Sequence, residues 1–162
     1  MTEPTKRATR YQGAIVHNDH ILLIKHCEHA TGRTYWLLPG GGRESHETEE
    51  ACVQREMLEE TELAVSVGQL LLDEEVIPHE LHYKRCKTYL CEVVNGNAQP
   101  GYEPEAESAQ QYAIAEVRWF DLRNPAEFPD CVRDDPLIFP LLQRIRAILG
   151  YGKASPEGTG HD

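Results

Sequence analysis

An α/β sandwich built on a mixed β-sheet is the architecture that this 162-residue sequence predicts. Three observations carry the prediction. Short runs rich in β-branched and aromatic residues recur through both halves of the chain. One capped helical segment interrupts them around residues 49–61, and a second helical pattern closes the series at residues 136–149. Strands arranged around one helix and followed by another bury their apolar faces best as layers of helix and sheet.

The elements follow in order. Residues 1–10 are polar and read as a flexible N-terminus, residues 11–149 as a single domain, and the Gly-containing residues 150–162 as a disordered tail. Residues 13–16 read as a strand, His17-Asn18-Asp19 as a turn, and Ile21-Leu22-Leu23-Ile24 as the returning strand of a hairpin. A loop over 30–34 leads into the apolar and aromatic run Tyr35-Trp36-Leu37-Leu38, which Pro39 ends. Gly40, Gly41 and Gly42 then form a glycine loop, able to pass close to a ligand. Thr48 suits the N-cap of the helix, with Glu49 and Glu50 in its first turn, where negative charge complements the macrodipole. Residues 63–76 hold one or two strands and 82–94 another, broken by Gly96 and Pro100. Residues 100–111 read as an acidic loop, 113–122 as a strand around Val117, Trp119 and Phe120, and 124–135 as irregular around Pro125 and Pro129. Leu137, Leu141, Leu142, Ile145 and Ile148 give residues 136–149 their helical period, with Pro140 in the early turns.

Composition bounds the function. The length suits one domain, and 40% hydrophobic residues suffice for one core. A net charge of −11 argues against a nucleic-acid polymer as partner, because such binding relies on basic patches. No apolar run approaches a membrane span, and MTEPTKRATR lacks the apolar core of a signal peptide. Five cysteines, an odd number without a CxxC pair, point to free thiols in a reducing cytoplasm. His26-Cys27-Glu28-His29 has no second ligand pair at zinc spacing, and His79-Glu80-Leu81-His82 lacks the i,i+4 histidines of a zinc helix.

The most informative segment is residues 41–63. Glu56, Glu59 and Glu60 stand at i, i+3 and i+4, which places three carboxylates on one helix face, read as an exposed one. Like charges at these spacings repel by roughly 0.2–0.5 kcal/mol per pair. A hard multivalent cation such as Mg²⁺ converts that repulsion into binding, because it takes carboxylate and phosphate oxygens. Arg55 suits a bidentate pair with a neighbouring glutamate.

This segment resembles the signature of the Nudix hydrolase family. Gly41, five residues, Glu47, seven residues, Arg55-Glu56, an apolar Met57, Leu58, Glu59-Glu60, Thr61 and the apolar Leu63 fall at the family's positions, and only Glu62 departs, where the family has Gly. Glu62 either lets the helix run on or accepts mild strain in a left-handed stop. The resemblance implies a Nudix-like α/β/α sandwich and hydrolysis of a phosphoanhydride in a nucleoside diphosphate linked to another group, with Mg²⁺ as cofactor and Mn²⁺ as its alternative. It implies Glu56 and Glu60 as metal ligands, Glu59 as a further ligand or a base, and the carbonyl of Gly40 as an additional ligand. Glu47 and Gly41 play supporting parts, Glu47 by pairing with Arg55.

Some members of the family carry the base in a later loop. Glu103, Glu105, Glu107 and Glu116 are the candidates here, with Glu116 preferred for its place just before Trp119. For substrate, Tyr83, Lys84 and Arg85 offer a ring and two charges to base and phosphate, although an edge strand bearing Lys and Arg has the same composition. Pro78, fifteen residues beyond Leu63, hints at ADP-ribose, and a nucleoside triphosphate fits the compact size equally well. A small-molecule nucleotide is the expected partner, with no membrane; a homodimer is compatible with the sequence. The competing readings are a catalytically silent nucleotide sensor of the same fold and an isomerase acting on an isoprenoid diphosphate.

Overall fold

The computed structural model describes residues 8–76, 83–102 and 111–152. Seven strands join in one sheet: β1 (Thr9–His17), β2 (His20–Glu28), β3 (Thr34–Leu37), β4 (Gly40–Gly42), β5 (Ala64–Glu75), β6 (Arg85–Asn95) and β7 (Tyr112–Asp121). Among the described residues the helices are α1 (Glu49–Thr61), α2 (Asp130–Arg133) and α3 (Ile138–Leu149), with a 3-10 turn at Pro125–Glu127. Among the described residues no helix is long and apolar enough to cross a membrane.

The strand order is β3-β2-β1-β6-β5, with β4 added to β1 and β7 to β2. The β1–β6 ladder is parallel and the other ladders are antiparallel, so the sheet is mixed, as expected. One edge of β1 is shared between two partners. Residues 10–12 pair with β4, Val16 and His17 pair with β2, and the Gly13 amide between them donates to the Pro39 carbonyl at 3.0 Å. The Gly13 amide thus keeps a partner where the sheet opens between β4 and β2.

Alternation along β1 sends successive side chains to opposite faces. Tyr11 and Ile15 pack with Leu22, Cys91 and the α1 residues Cys52, Val53 and Met57. Ala14 packs on the other face with Trp36, Leu38, Phe120 and the α3 residues Leu142 and Ile145. Each face therefore carries its own core, and the molecule is an α/β/α sandwich with α1 on one side and α3 on the other.

Several boundaries differ from those read in the sequence. β1 begins at Thr9, inside the stretch expected to be loose, because residues 9–15 run parallel to β6. β2 continues to Glu28, held along its length by β7. The glycine loop is a short strand, made by pairing with Arg10, Tyr11 and Gln12. The irregular stretch holds the 3-10 turn and α2. Gly150 caps α3 in the left-handed region at φ 92°, and the Tyr151 hydroxyl donates to Asp19 Oδ1, so order extends into the expected tail.

The hairpin between β1 and β2 turns at Asn18 and Asp19, with φ of 49° and 64°. Two successive positive φ values match the right-handed twist of the flanking strands, and Asn and Asp tolerate them well. α1 starts as expected: the Thr48 hydroxyl accepts from the Ala51 amide at 3.0 Å. It ends at Thr61, and Glu62 takes the left-handed conformation at φ 62°, its amide donating to the Leu58 carbonyl. Of the two outcomes left open for Glu62, the strained stop is the one adopted.

A non-glycine residue in this region costs roughly 1–2 kcal/mol, part of which glycine gives back through a freer unfolded chain. Glu62→Gly is therefore expected to stabilise the protein by up to ~1 kcal/mol. Equilibrium denaturation in urea checks this, and a loss of stability contradicts it.

Candidate functional site

The N-terminal cap and the packing of Cys52, Val53 and Met57 fix the rotation of α1 over the sheet. That rotation turns Glu56 and Glu60 inward. Both are buried, at 2% and 1% exposure, so the acidic face is not the solvent-exposed one read from the sequence. β4 is what makes room for them. A side chain at Gly41 would collide with the Glu56 carboxylate, and one at Gly40 would strike the Gln12 backbone. The Gly40 amide donates to Glu60 Oε1 at 2.7 Å.

Arg55 ties the segment together. Its Nε donates to Glu47 Oε2 at 2.6 Å and its Nη2 to Glu47 Oε1 at 2.8 Å, a two-pronged pair across eight residues. Nη1 donates to Glu56 Oε1 at 3.0 Å and to Glu59 Oε2 at 3.1 Å, while Nη2 also reaches the Gly42 carbonyl at 3.2 Å. One guanidinium thus joins the loop before α1, three carboxylates and the end of β4. Glu47 is held in addition by the Glu44 amide at 2.9 Å.

The electrostatics follow from this geometry. The Arg55 bond, aided by the Glu44 amide and opposed by burial, holds the Glu47 carboxyl down at about 2. Burial pushes Glu56 up to about 7; Arg55 opposes that rise and the charge of Glu59 adds to it. Burial also raises Glu59 above the usual carboxylate range, against the pull of Arg55. The Arg55 guanidinium is held well above its ordinary value, chiefly by its bonds to Glu47.

The donor set can be weighed against a hard divalent cation. Among the described residues, Glu47, Glu56, Glu59 and Glu60 face Arg55 and, through space, Arg10, so carboxylates outnumber guanidiniums there. All the oxygens are hard donors of the kind that Mg²⁺ takes. Arg55 draws Glu56 and Glu59 together in this arrangement, and among the described residues no three acidic, His or Cys side chains already converge as a metal-holding group. The fit therefore lies in the donor chemistry and the surplus of buried negative charge.

The C-terminal turn of α1 is closed by a segment that returns from β6. The Gln99, Gly101 and Tyr102 amides donate to the Thr61, Glu60 and Glu59 carbonyls at 3.0, 2.9 and 3.0 Å. A side chain at Gly101 would run into the Glu59 carbonyl, so only glycine permits this approach. Glu103, Glu105, Glu107 and Pro78 lie outside the described residues.

The other sequence-derived candidates are distributed differently. Glu116 pairs with Arg118 at 2.8 Å and Lys25 at 4.0 Å. It lies on the β7 face opposite Val117 and Trp119, which pack toward α1, and no hydrogen bond or ion pair joins it to the α1 carboxylates. The structure thus places this candidate base apart from them. Arg85 is paired with Asp73 across the β5–β6 ladder. The Lys84 amide and carbonyl bond to Ala8 and Val76. Tyr83 lies close enough to Arg10 to act on its charge.

Sequence reasoning missed two groups. Glu49, assigned to the macrodipole alone, accepts from Lys87 Nζ at 3.1 Å and from the Tyr89 hydroxyl, which anchors the start of α1 to β6. Arg10, Gln12 and Thr88 form a polar line across β1 and β6, with Gln12 Nε2 donating to Thr88 Oγ1 at 2.8 Å. Local signals for them were weak: Arg10 lay in the stretch read as loose, Gln12 just before the strand read from residue 13, and Thr88 within the strand read over 82–94 with no role assigned.

The NUDIX domain profile matches residues 8–139. The chain belongs to the Nudix family. A comparison with curated proteins finds no match. Among solved structures, a NUDIX hydrolase from Nitrosomonas europaea superposes with a TM-score of 0.66 at 21% identity, over 94% of this chain and 77% of that one. An ADP-ribose pyrophosphatase from Streptococcus suis gives 0.61 at 18%, over 92% and 95%. A UDP-X diphosphatase gives 0.60 at 20%, over 90% of this chain, which spans 66% of the length of that one. At these identities the likeness is one of fold, and it includes the mixed sheet described above.

Two outcomes follow from the charge arrangement. Arg55→Met leaves Glu47, Glu56 and Glu59 without their guanidinium and is expected to cost ~3 kcal/mol, the scale of a broken buried pair. Chemical denaturation at pH 8 measures it, and a cost near zero contradicts the hub role. The second concerns pH. Glu56 titrates in the folded chain at about 7, above its ordinary value of 4.5. Its protonated form is favoured by folding, so that stability is fully present below the unfolded value and is lost as pH rises through the folded one. The thermal midpoint of the metal-free protein should therefore fall between pH 5 and pH 7.5 by more than that of Glu56→Gln; equal slopes contradict the assignment.

Proposed function

We propose that this Nudix protein is a Mg²⁺-dependent hydrolase that cleaves a phosphoanhydride in a small nucleoside diphosphate linked to another group, such as ADP-ribose or a nucleoside triphosphate. The observation that carries the proposal is the pair of buried carboxylates, Glu56 and Glu60, pressed against the side-chain-free strand β4 beside Arg55. A buried surplus of negative charge is costly, and a phosphate-bound cation offsets that cost.

Glu56, Glu60 and the carbonyl of Gly40 would hold the ion, with Glu59 as a further ligand or as base. When bound, the ion supplies charge neutralisation on phosphate oxygens and a site for a water nucleophile. The chain's own residues do the remainder. Arg55 orients Glu56 and Glu59 from one nitrogen, and its pair with Glu47 keeps that nitrogen in place. Glu59 is less enclosed than Glu56, so a water molecule reaches it more readily, and burial raises its pKa toward that of a base. The Gly40 amide fixes the rotamer of Glu60. The fold is shared with an ADP-ribose pyrophosphatase and a UDP-X diphosphatase, and this supports the substrate class without selecting a member of it.

The sensor alternative rests on Glu62. With Glu62 in the left-handed conformation, α1 ends at Thr61 as read from the sequence, so Glu62 lends that alternative no support.

The test is nucleotide or phosphate release from nucleoside triphosphates, ADP-ribose, other nucleotide sugars and dinucleoside polyphosphates, with and without Mg²⁺. Cleavage of one class that requires Mg²⁺ is the expected result; silence across the panel overturns the proposal. Glu60→Gln is expected to lower kcat at least ~100-fold, the scale of a lost group that stabilises transition-state charge. It should leave the circular dichroism unchanged, because the amide oxygen can accept the Gly40 N–H in place of the carboxylate. Near wild-type turnover in that variant removes Glu60 from the ligand set.

A further inference from the structure

Arg10 is the second guanidinium of the site, and nothing in the family signature includes it. It stands on β1 opposite Gly42, two residues from Gln12, which pairs with Gly40. The same ladder therefore carries Arg10 on one strand and, on the other, the glycines that touch Glu56 and Glu60. Arg10 shares the strand face of Gln12 and Ala14, and Ala14 packs toward α3. It approaches the carboxylates from the side of the sheet that α1 does not cover.

Its orientation is fixed. Nη2 donates to the Leu38 carbonyl at 2.8 Å and Nε to Gln12 Oε1 at 3.3 Å, and Gln12 is held in turn by Thr88. A guanidinium carries five N–H donors in a planar fork. Among the described residues two of these are used, and no carboxylate forms an ion pair with Arg10. The residue as a whole is partly buried. Burial works against its charge, and Tyr83, Glu60, Cys86 and Glu56 more than offset that, so its pKa lies above the ordinary value. A salt-bridge residue serving stability alone would be expected to close on one of those carboxylates. Arg10 is held off them by two neutral acceptors.

We infer that Arg10 is a substrate-binding residue, its fork taking a non-bridging oxygen of the diphosphate while Gln12 and Thr88 hold it in position. The planar fork matches phosphate geometry, and a charge-assisted bond to phosphate is stronger than the two neutral ones that Arg10 already makes. Tyr83 is close enough to Arg10 to act on its charge. The assignment rests on the hydrolase reading for the identity of the ligand, but its test does not require turnover.

Calorimetric titration of the full chain with ADP and with AMP, both in Mg²⁺, reads the diphosphate contact as a ratio of affinities. A purely structural role would weaken both ligands alike and leave the ratio unchanged. Arg10→Met is expected to lower the ADP preference about tenfold, the scale of one charge-assisted contact, with AMP affinity little altered. Arg10→Lys, which keeps the charge and loses the fork, should lie between. An unchanged ratio in a folded Arg10→Met overturns the inference. If that variant does not fold, an unchanged ratio in Arg10→Lys overturns it instead. An absence of ADP preference in the wild type overturns it as well. An Arg10-dependent ADP preference in a protein that cleaves nothing in the substrate panel would leave this inference standing and defeat the hydrolase reading alone.

Discussion

The Arg55–Glu47 pair is the constraint on which the site depends. Glu47 precedes α1 and Arg55 lies in its middle, and two charge-assisted bonds between them clamp the entering loop onto the helix. With two of its nitrogens committed there, Arg55 has Nη1 left for Glu56 and Glu59. Removing the clamp would free three carboxylates whose mutual repulsion is otherwise contained. Glu47 stays ionised to about pH 2 because of this contact, so the clamp holds across the physiological range. Its strength comes from the match of a planar fork to a carboxylate, which lysine cannot reproduce.

The second requirement is backbone without side chains. β4 has no intrinsic preference for a strand, since glycine is a poor strand former. It exists because β1 offers it a ladder and because α1 needs a surface it can approach closely. Gly101 plays the same part at the other end of α1, where a returning segment satisfies three carbonyls that the helix cannot. Buried carboxylates, a glycine strand and a capped helix end therefore form one unit. Each is unfavourable or unformed alone, and the concentration of unfavourable terms at one place is what a functional site looks like in energetic terms.

Much of this unit was legible beforehand because it is local. α1 was marked at its start by its Thr48 cap and along its length by the spacing of its signature residues, and the 18–19 turn by residues that tolerate positive φ. The Arg55 partnership could be anticipated from residue type and spacing. Long-range pairing was not legible. β1 was read as starting at residue 13, since nothing local marks Thr9 and Arg10 as strand; their partners lie about 75 residues away on β6. The same blindness hid Arg10, Gln12 and Thr88 and displaced the ends of β2. Glu116 was drawn toward the site by its closeness in sequence to Trp119, yet strand alternation sends the two side chains to opposite faces.

The sequence by itself determined the class of fold, the family and the segment where its chemistry is concentrated, because those depend on patterns within a few turns of chain. It could not decide whether the acidic face was solvated or buried. A helix presents the same carboxylates either way, and only the packing of Cys52, Val53 and Met57 on the sheet turns Glu56 and Glu60 inward. Nor could it choose between the two outcomes for Glu62, since the left-handed stop is set by where the following strand must begin. The tertiary structure also decided which cations face the carboxylates: Arg55 by local reach, and Arg10 by a ladder that brings the start of the chain beside the glycine strand. Coulombic effects depend on distance through space, and those distances are fixed only when the sheet closes.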